Sequence, residues 1–435
     1  MLRMQDADRS RTDTSPNPVN TARRWRAALR RRPGTILGVG VLAFMFAACV
    51  LSLPWTIGTM RDGTPRYADG VPAQGRVAPA FWPVRDAGEI ARLNAMIPEE
   101  TLREIGDRHG LAPEQVVRAT SGRAGMELRG AWPSFSLGSD PLGRSLLIRL
   151  LAGGAISLTI GVAAALISVA IGTAYGMTAG YVGGRTDAFM MRVVDVLYGV
   201  PYILLVVLLA IASDAVIEDY LDRAPERRAW VEANAAEEAR VRGITGAARD
   251  LLREDPGLAR RLEAEASARF PLRPESDLPL GLGRRGLDLM VLLGAIASVS
   301  WLTTARVVRG QVMSLRSRAF VEAARALGAS GPRIMVRHIL PNLAGTIAVY
   351  TTLTVPQAIL QESFLSFLGI GVKAPLPSWG NLAAEGLSEL NPYRSHWWLL
   401  LFPCLLLAGT LLSLNVVGEA LRESLDPRAR RGGPR

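Results

Sequence analysis

Lysine is almost missing from this chain of 435 residues: Lys373 stands alone against 49 arginines. A phosphate-cradling GxxxxGK[ST] loop needs a lysine to reach the β- and γ-phosphates. Lys373 sits in GIGVKAPL, outside any such context, so the chain is not expected to bind ATP in that way. Cysteine is nearly as scarce. Cys49 and Cys404 both fall in apolar runs, which excludes a disulfide framework. The three histidines, His109, His338 and His396, lie far apart without ligand spacing, which argues against a metal site. HExxH and GxSxG are both absent, removing the commonest metalloprotease and serine-hydrolase readings. The string GLGRRG at 281–286 matches GxGxxG by letter only, since it leads into an apolar run with no strand before it.

Charge is also missing from six long stretches: Pro33–Met60, Leu150–Gly184, Val196–Ser213, Leu289–Ala305, His338–Gln361 and Ser395–Gly418. A helix needs about 17–25 apolar residues to cross a hydrocarbon core roughly 30 Å thick. Backbone polar groups cannot stay unpaired in lipid, so each run is expected to be a helix. The fold expected is therefore all-α and membrane-integral, with six transmembrane helices. A net charge of +11 would suggest nucleic acid in a soluble chain, but its placement makes it an orientation signal instead. With the N-terminus inside, the inward-facing segments hold 23 arginines against 8 acids, and the outward-facing ones 27 basic residues against 30 acids. The positive-inside bias puts both termini in the cytoplasm. The first run, though preceded by basic residues and faintly lipoprotein-like at Cys49, continues through Trp55. It reads as a retained helix rather than a cleaved signal.

The chain divides as follows: a basic tail at 1–33, a first span at 34–58, an external loop at 59–149, spans two and three within 150–213, and a charged external insertion at 214–285. Span four covers 286–305, a cytoplasmic loop 306–338, spans five and six 339–420, and a second tail 421–435. Pro98–Thr120 reads as two short helices broken at Gly110, and 214–285 as solvated helix. Ser363–Val372 is too short to span and suits an interfacial or re-entrant segment. Gly172, Gly176 and Gly180 form an i, i+4, i+8 ridge for close helix packing, favoured over a substrate role. Arg306 and Arg309 are expected to snorkel to headgroups rather than gate. Asp187, Arg192 and Asp195 suit an inner-loop network better than a partner contact.

The loop at 306–338 is the most informative polar segment. Arg318–Leu327 is Ala-rich and reads as a short helix, Gly328 as its left-handed stop, and Pro332 as the start of the next helix. Pro341 can begin span five, where its missing N–H costs nothing. Ala323 and Ala324 leave a smooth surface. Glu322, the one acid among seven arginines, suits either an ionic partner or a local pair with Arg318 or Arg325.

EAARALG followed by RHILPN resembles the cytoplasmic loop of permease subunits in binding-protein-dependent ABC importers. That pattern is Glu-Ala-Ala, three residues, Gly, nine residues, then Ile-x-Leu-Pro. Glu322, Ala323, Ala324, Gly328, Leu340 and Pro341 fall on it, and His338 replaces the first apolar residue of its end. SDPLGRSLLIRLLAGGAISLTIGV, AGYVGGRTDAFMMRVVDVLYGVP, ESFLSFLGIGVKAPLPSWGNL and the C-terminal GEALRESLDPR are similar to the dipeptide/oligopeptide/nickel branch. The resemblance covers roughly 135–213 and 286–428 and leaves the two large external insertions outside it. It implies that this loop seats in a separate ATPase, which holds ATP and Mg, while this chain carries no cofactor. It also implies a second permease subunit, identical or different, an external substrate-binding protein, and alternating access in a bacterial inner membrane. A peptide is the expected cargo. A nickel or other small-solute permease, and a non-transporting scaffold or sensor acting through the insertions, are the rival expectations.

Overall fold

The computed structural model describes residues 33–60, 63–83, 86–118, 122–242, 251–253, 255–271, 283–391 and 395–425. Both basic tails lie outside them but for Pro33 and residues 421–425, as do Gly281 and Leu282 of the glycine string. Helix α1 (Pro33–Leu51) is extended by one turn at Leu53–Thr56. Four short helices follow: α2 (Ala87–Asn94), α3 (Glu99–His109), α4 (Pro113–Arg118) and α5 (Gly122–Gly130). The remaining order is α6 (Leu146–Val182), α7 (Gly184–Gly199), α8 (Tyr202–Leu221), α9 (Ala224–Val241), α10 (Pro256–Arg269), α11 (Gly283–Arg316) and α12 (Ala319–Ala326). Then come α13 (Gly331–Ile334), α14 (Leu340–Phe367), α15 (Trp379–Ser388) and α16 (Trp398–Leu425). Among the described residues there is no strand, only isolated bridges. Among the described residues five helical stretches are long and apolar enough to cross a bilayer, and α7 with α8, bent by 89°, is either a sixth, broken span or a re-entrant loop. The expected all-α membrane architecture holds.

Several boundaries differ from the sequence reading. The supposed inner loop at 185–195 is helical: α7 starts after Gly183 (φ 71°) and stops at Val200-Pro201, where proline cannot continue it. Helix α8 runs past residue 214 to Leu221, and Asp214 on it is held by Lys373, Nζ to Oδ2 2.7 Å. Helix α11 continues from the fourth span to Arg316, so Arg306 and Arg309 are helical and pair with carboxylates of α7 instead of reaching for headgroups. Pro341 stands in the first turn of α14, as expected, but that helix is not a fresh start. One helical stretch runs from Gly331 to Phe367, with a wide π turn at Met335–Ile339 just ahead of the proline. Ser363–Phe367 ends α14, so the short non-spanning helix of this region is α15. A capping box starts it, with Ser378 Oγ accepting from Asn381 N (3.2 Å) and Asn381 Oδ1 accepting from Ser378 N (2.8 Å).

The core is built on α6. Its glycine ridge lies directly against the α11 backbone. A Cβ on Gly172 would sit 2.6 Å from the Trp301 carbonyl oxygen, one on Gly176 2.3 Å from that of Ala305, and one on Gly180 2.7 Å from that of Arg309. On another side, Leu150, Leu158 and Ile160 of α6 join Ile359 and Leu365 of α14, Ile296 of α11 and the fully buried Trp379 of α15. Trp379 Nε1 donates to the Leu150 carbonyl (3.1 Å). Glu362, also fully buried, accepts from Ser366 Oγ at 2.7 Å and Ser363 Oγ at 3.2 Å.

The large loops have small cores of their own. Ile97, Leu102, Ile105, Val116 and Leu128 hold α3, α4 and α5 together, with Gly110 (φ 65°) making the predicted break after α3. Ala235, Ala239, Leu258 and Leu262 pair α9 with α10. Ion pairs fasten the first loop to the chain around α15. Arg149, 2% exposed, bridges Asp140 Oδ2 (2.7 Å) and both Glu385 oxygens (2.5 and 2.9 Å). Arg76 grips Glu389 through two bonds of 2.7 and 2.8 Å, and His396 Nδ1 lies 3.1 Å from the same carboxylate.

Two predictions follow from this packing. Gly176→Val forces a side chain into the α11 backbone. Overpacking costs about 1–3 kcal/mol, so the melt in detergent should drop by several degrees. Gly310→Ala, with nothing within 4 Å, should leave it unchanged; equal melts for both variants would refute the ridge. The second concerns pH. Hydrogen bonding from Arg76 holds the Glu389 carboxyl below the usual range, and burial lowers His396 despite Glu389. Both shifts are downward, so their stabilisation is present above the unfolded values of about 6.5 and 4.3. It is lost as pH falls through the lower folded values. The melt should therefore fall on acidification below about pH 6.5, and His396→Gln should flatten the upper part of that decline.

Candidate functional site

The loop between α11 and α14 forms a small rigid unit. Val321 and Ala324 of α12, Ile334 of α13, Ile339 and Leu343 form a buried cluster with Val308 and Val312 of α11. Met177 and Tyr181 of α6 pack on its rim. Helix α12 therefore does not hang from the bundle but is clamped to the end of α11. Its inward face is the i, i+3 pair Val321 and Ala324, and Glu322, Ala323, Arg325 and Ala326 are left facing outward.

The end of α12 is a Schellman turn. Gly328 N donates to Arg325 O and Ala329 N to Ala324 O, both at 3.0 Å, and Gly328 takes φ 79°. The left-handed position assigned to Gly328 from sequence is thus observed. The turn also throws Leu327 outward to 88% exposure, while Phe320 at the start of α12 is 39% exposed. Leu327 was not among the residues singled out from sequence. By periodicity it continues the buried series Val321, Ala324, and only the glycine after it signals that the helix ends too soon to bury it.

The predicted residues separate into two groups. Glu322, Ala323 and Gly328 share the exposed tip, and Glu322 forms no ion pair with Arg318 or Arg325. Ala324 turns inward, and His338, Leu340 and Pro341 lie at and just after the π turn against which α12 packs. The His338 carbonyl accepts from Asn342 Nδ2 at 2.7 Å. The second group therefore supports the tip and does not extend it.

Behind this unit, α7 is tied to α11 by two ion pairs. Arg309 donates to both oxygens of Asp187 at 2.5 and 2.6 Å, and Arg306 donates to Asp195 at 2.7 Å while its guanidinium lies 4.1 Å from the Tyr198 ring centre. Arg316 Nη1 also donates to the Tyr181 carbonyl (2.9 Å). Asp187 and Asp195 thus belong to a stabilising network, with Arg192 exposed outside it. Arrayed along one line are an exposed helical tip, a hydrophobic clamp, and a helix joined by charge and by close packing to two neighbours. Such an array can carry a push at the tip into the membrane bundle.

Comparison with known proteins agrees with this geometry. Residues 172–431 match the family of binding-protein-dependent transport system inner membrane components. The oligopeptide transport system permease protein OppC of Haemophilus influenzae is 35% identical over 293 residues, covering 67% of this chain and 70% of that protein. The dipeptide transport system permease protein DppC of Bacillus subtilis is 35% identical over 294 residues, covering 68% and 69%. OppC of Escherichia coli K12 is 36% identical over 295 residues, covering 67% and 72%. With its multi-pass helical bundle and its clamped loop, the chain belongs to the inner-membrane permease subunits of binding-protein-dependent ABC importers, in the branch that holds the oligopeptide and dipeptide permeases.

Proposed function

We propose that this subunit imports peptides by alternating access, driven by separate ATPase subunits that dock on the α12 tip. The observation that carries the reading is the tip itself. An unpaired acid, a smooth Ala323 surface and an outward Leu327 are presented on a helix that its own hydrophobic cluster holds fixed. An ionic group at the centre of an apolar contact suits one defined docking partner. The matched relatives are named as peptide permeases, which supports peptide as cargo. The asymmetry of 23 arginines against 8 acids supports a cytoplasmic α12 and cytoplasmic termini. ATP and Mg belong to the partner ATPase. The lone lysine is committed to Asp214, outside any phosphate loop. A second permease subunit completes the path, and a substrate-binding protein delivers cargo from the side that carries the first large loop.

In this scheme, movement of the ATPase displaces α12, and the Val308 and Val312 contacts pass the displacement to α11. The Asp187 and Asp195 pairs and the glycine ridge then make α7 and α6 move with it as one body.

Two substitutions test the docking. Glu322→Arg reverses the only exposed negative charge of α12 while leaving its buried face intact. It should insert normally, lose the ATPase in a detergent pull-down, and reduce peptide uptake at least about tenfold, the equivalent of ~1.4 kcal/mol. Undiminished uptake would refute the docking assignment. At Gly328 the left-handed backbone costs an L-residue roughly 1–2 kcal/mol, and more where the side chain is β-branched. Uptake should therefore fall in the order glycine, alanine, valine; equal uptake by Gly328→Ala and Gly328→Val would show that the Schellman turn is dispensable.

A further inference from the structure

Among the described residues, the membrane-spanning part of this chain contains a cleft lined by uncharged polar side chains. It has a volume of about 400 Å³ and lies between the α7–α8 break, α11 and α14. Tyr198 comes from α7, Ser300 and Thr303 from α11, and Gln357 and Gln361 from α14. Tyr198 and Thr303 share a hydroxyl–hydroxyl bond of 2.6 Å, and Ser300 Oγ donates to Gln361 Oε1 at 3.2 Å. The Gln361 NH2 group and the whole Gln357 amide have no partner among the described residues. Gln357, Thr303 and Tyr198 are exposed.

The backbone supplies a second, independent observation. Helix α7 ends at Gly199, and the chain turns through 89° at Val200-Pro201 before α8 begins. The final carbonyls of α7 lose their intrahelical donors there. Broken backbone at membrane depth is tolerated only where it lines a polar cavity or meets protein, and unpartnered amide side chains are costly against hydrocarbon. Discontinuous helices in transporters are where cargo is bound. Both observations count against a lipid-facing position for this face.

The electrostatics narrow the cargo chemistry. The charged pair bordering the cleft is Arg306 with Asp195, which compensate each other while Arg306 stacks on Tyr198. What remains is a neutral surface offering both donors and acceptors. A carboxamide presents an N–H2 and a C=O, matching the C=O and N–H of a peptide unit. Such a surface holds a main chain without selecting side chains.

We infer that this cleft is where the subunit touches the transported peptide, with Gln357 and Gln361 binding main-chain amides and Ser300, Thr303 and Tyr198 orienting them. The inference rests on the peptide-import reading above and adds the residues and the part of the substrate they recognise. The open side of the cleft is closed by the second permease subunit.

The test uses the full transporter, with its partner permease, ATPases and binding protein, reconstituted in vesicles. The probes are trialanine and trialanine N-methylated at its central amide. The same binding protein serves wild type and variants, so its own selectivity cancels in the comparison. Gln357→Leu and Gln361→Leu together should lower trialanine uptake about tenfold, as expected for two lost hydrogen bonds of ordinary net strength. ATPase stimulation by loaded binding protein should persist, and the preference of wild type for the unmethylated peptide should shrink severalfold. Unchanged uptake with unchanged preference overturns the inference. Should the double variant misassemble, a diazirine-bearing tripeptide photolysed in the wild-type complex decides the matter. Adducts within 197–201, 299–303 or 357–361 support the cleft, and adducts confined elsewhere overturn it. Wild-type vesicles that accumulate no trialanine overturn the peptide reading itself, and the inference falls with it.

Discussion

The architecture depends on how closely α6 and α11 approach. In lipid no hydrophobic drive pulls helices together, so contact must come from dispersion between surfaces that fit. Three glycines one turn apart let the α11 backbone lie on α6 at a distance that any side chain would forbid. With that contact made, the angular position of α11 is set. Ser300 and Thr303 then face the α7–α8 break, Arg306 and Arg309 reach the α7 carboxylates, and Val308 and Val312 receive α12. Slippage of α11 by one residue would turn each of these groups through about 100°, since an α-helix has 3.6 residues per turn.

The same helix serves two ends of the molecule, which gives the long α11 a mechanical meaning. Had it ended at Ala305, as the loss of charge-free sequence suggests, α12 would hang on a flexible loop and a push would be absorbed. Continued as helix to Arg316, and pinned sideways by the partly shielded Arg309–Asp187 pair, it has the build that the proposed coupling requires of a lever. The outer loops are treated differently. Through Arg149 and Arg76, ion pairs tie the first loop to Glu385 and Glu389 around α15.

Much of this was legible in the sequence, and the misses share a cause. Charge-free runs located the spans because hydrocarbon excludes charge whatever the neighbours are. Gly328 was legible because a left-handed turn admits few residues, and the Gly172 ridge because its spacing has one structural use. By contrast, α7 reads as a loop in the sequence because it is charged. Its two carboxylates are paired by arginines more than a hundred residues away, and no local pattern reveals that. For the same reason Arg306 and Arg309 were assigned to headgroups. Helix α15 was missed because its signal is an Asn at the third helical position, not the Glu or Gln usual in a capping box. Leu327 was missed because periodicity counts residues and does not know where a helix will stop.

The distribution of unsatisfied polarity separates structure from function in this protein. Buried Glu362 is answered by two serines, buried Arg149 by two carboxylates, and even the lone lysine has its aspartate. Arg149 Nε, Thr173 Oγ1 and Thr410 Oγ1 stay without a partner among the described residues, but they are enclosed by protein; open groups at an accessible face are a different matter. Two places stand out: the α12 tip with Glu322, and the cleft with Gln357 and Gln361. The tip lies at one end of α11, and the cleft lies near its middle. Groups left open at both points of one rigid lever are what a subunit needs if force enters at the first and cargo is held at the second.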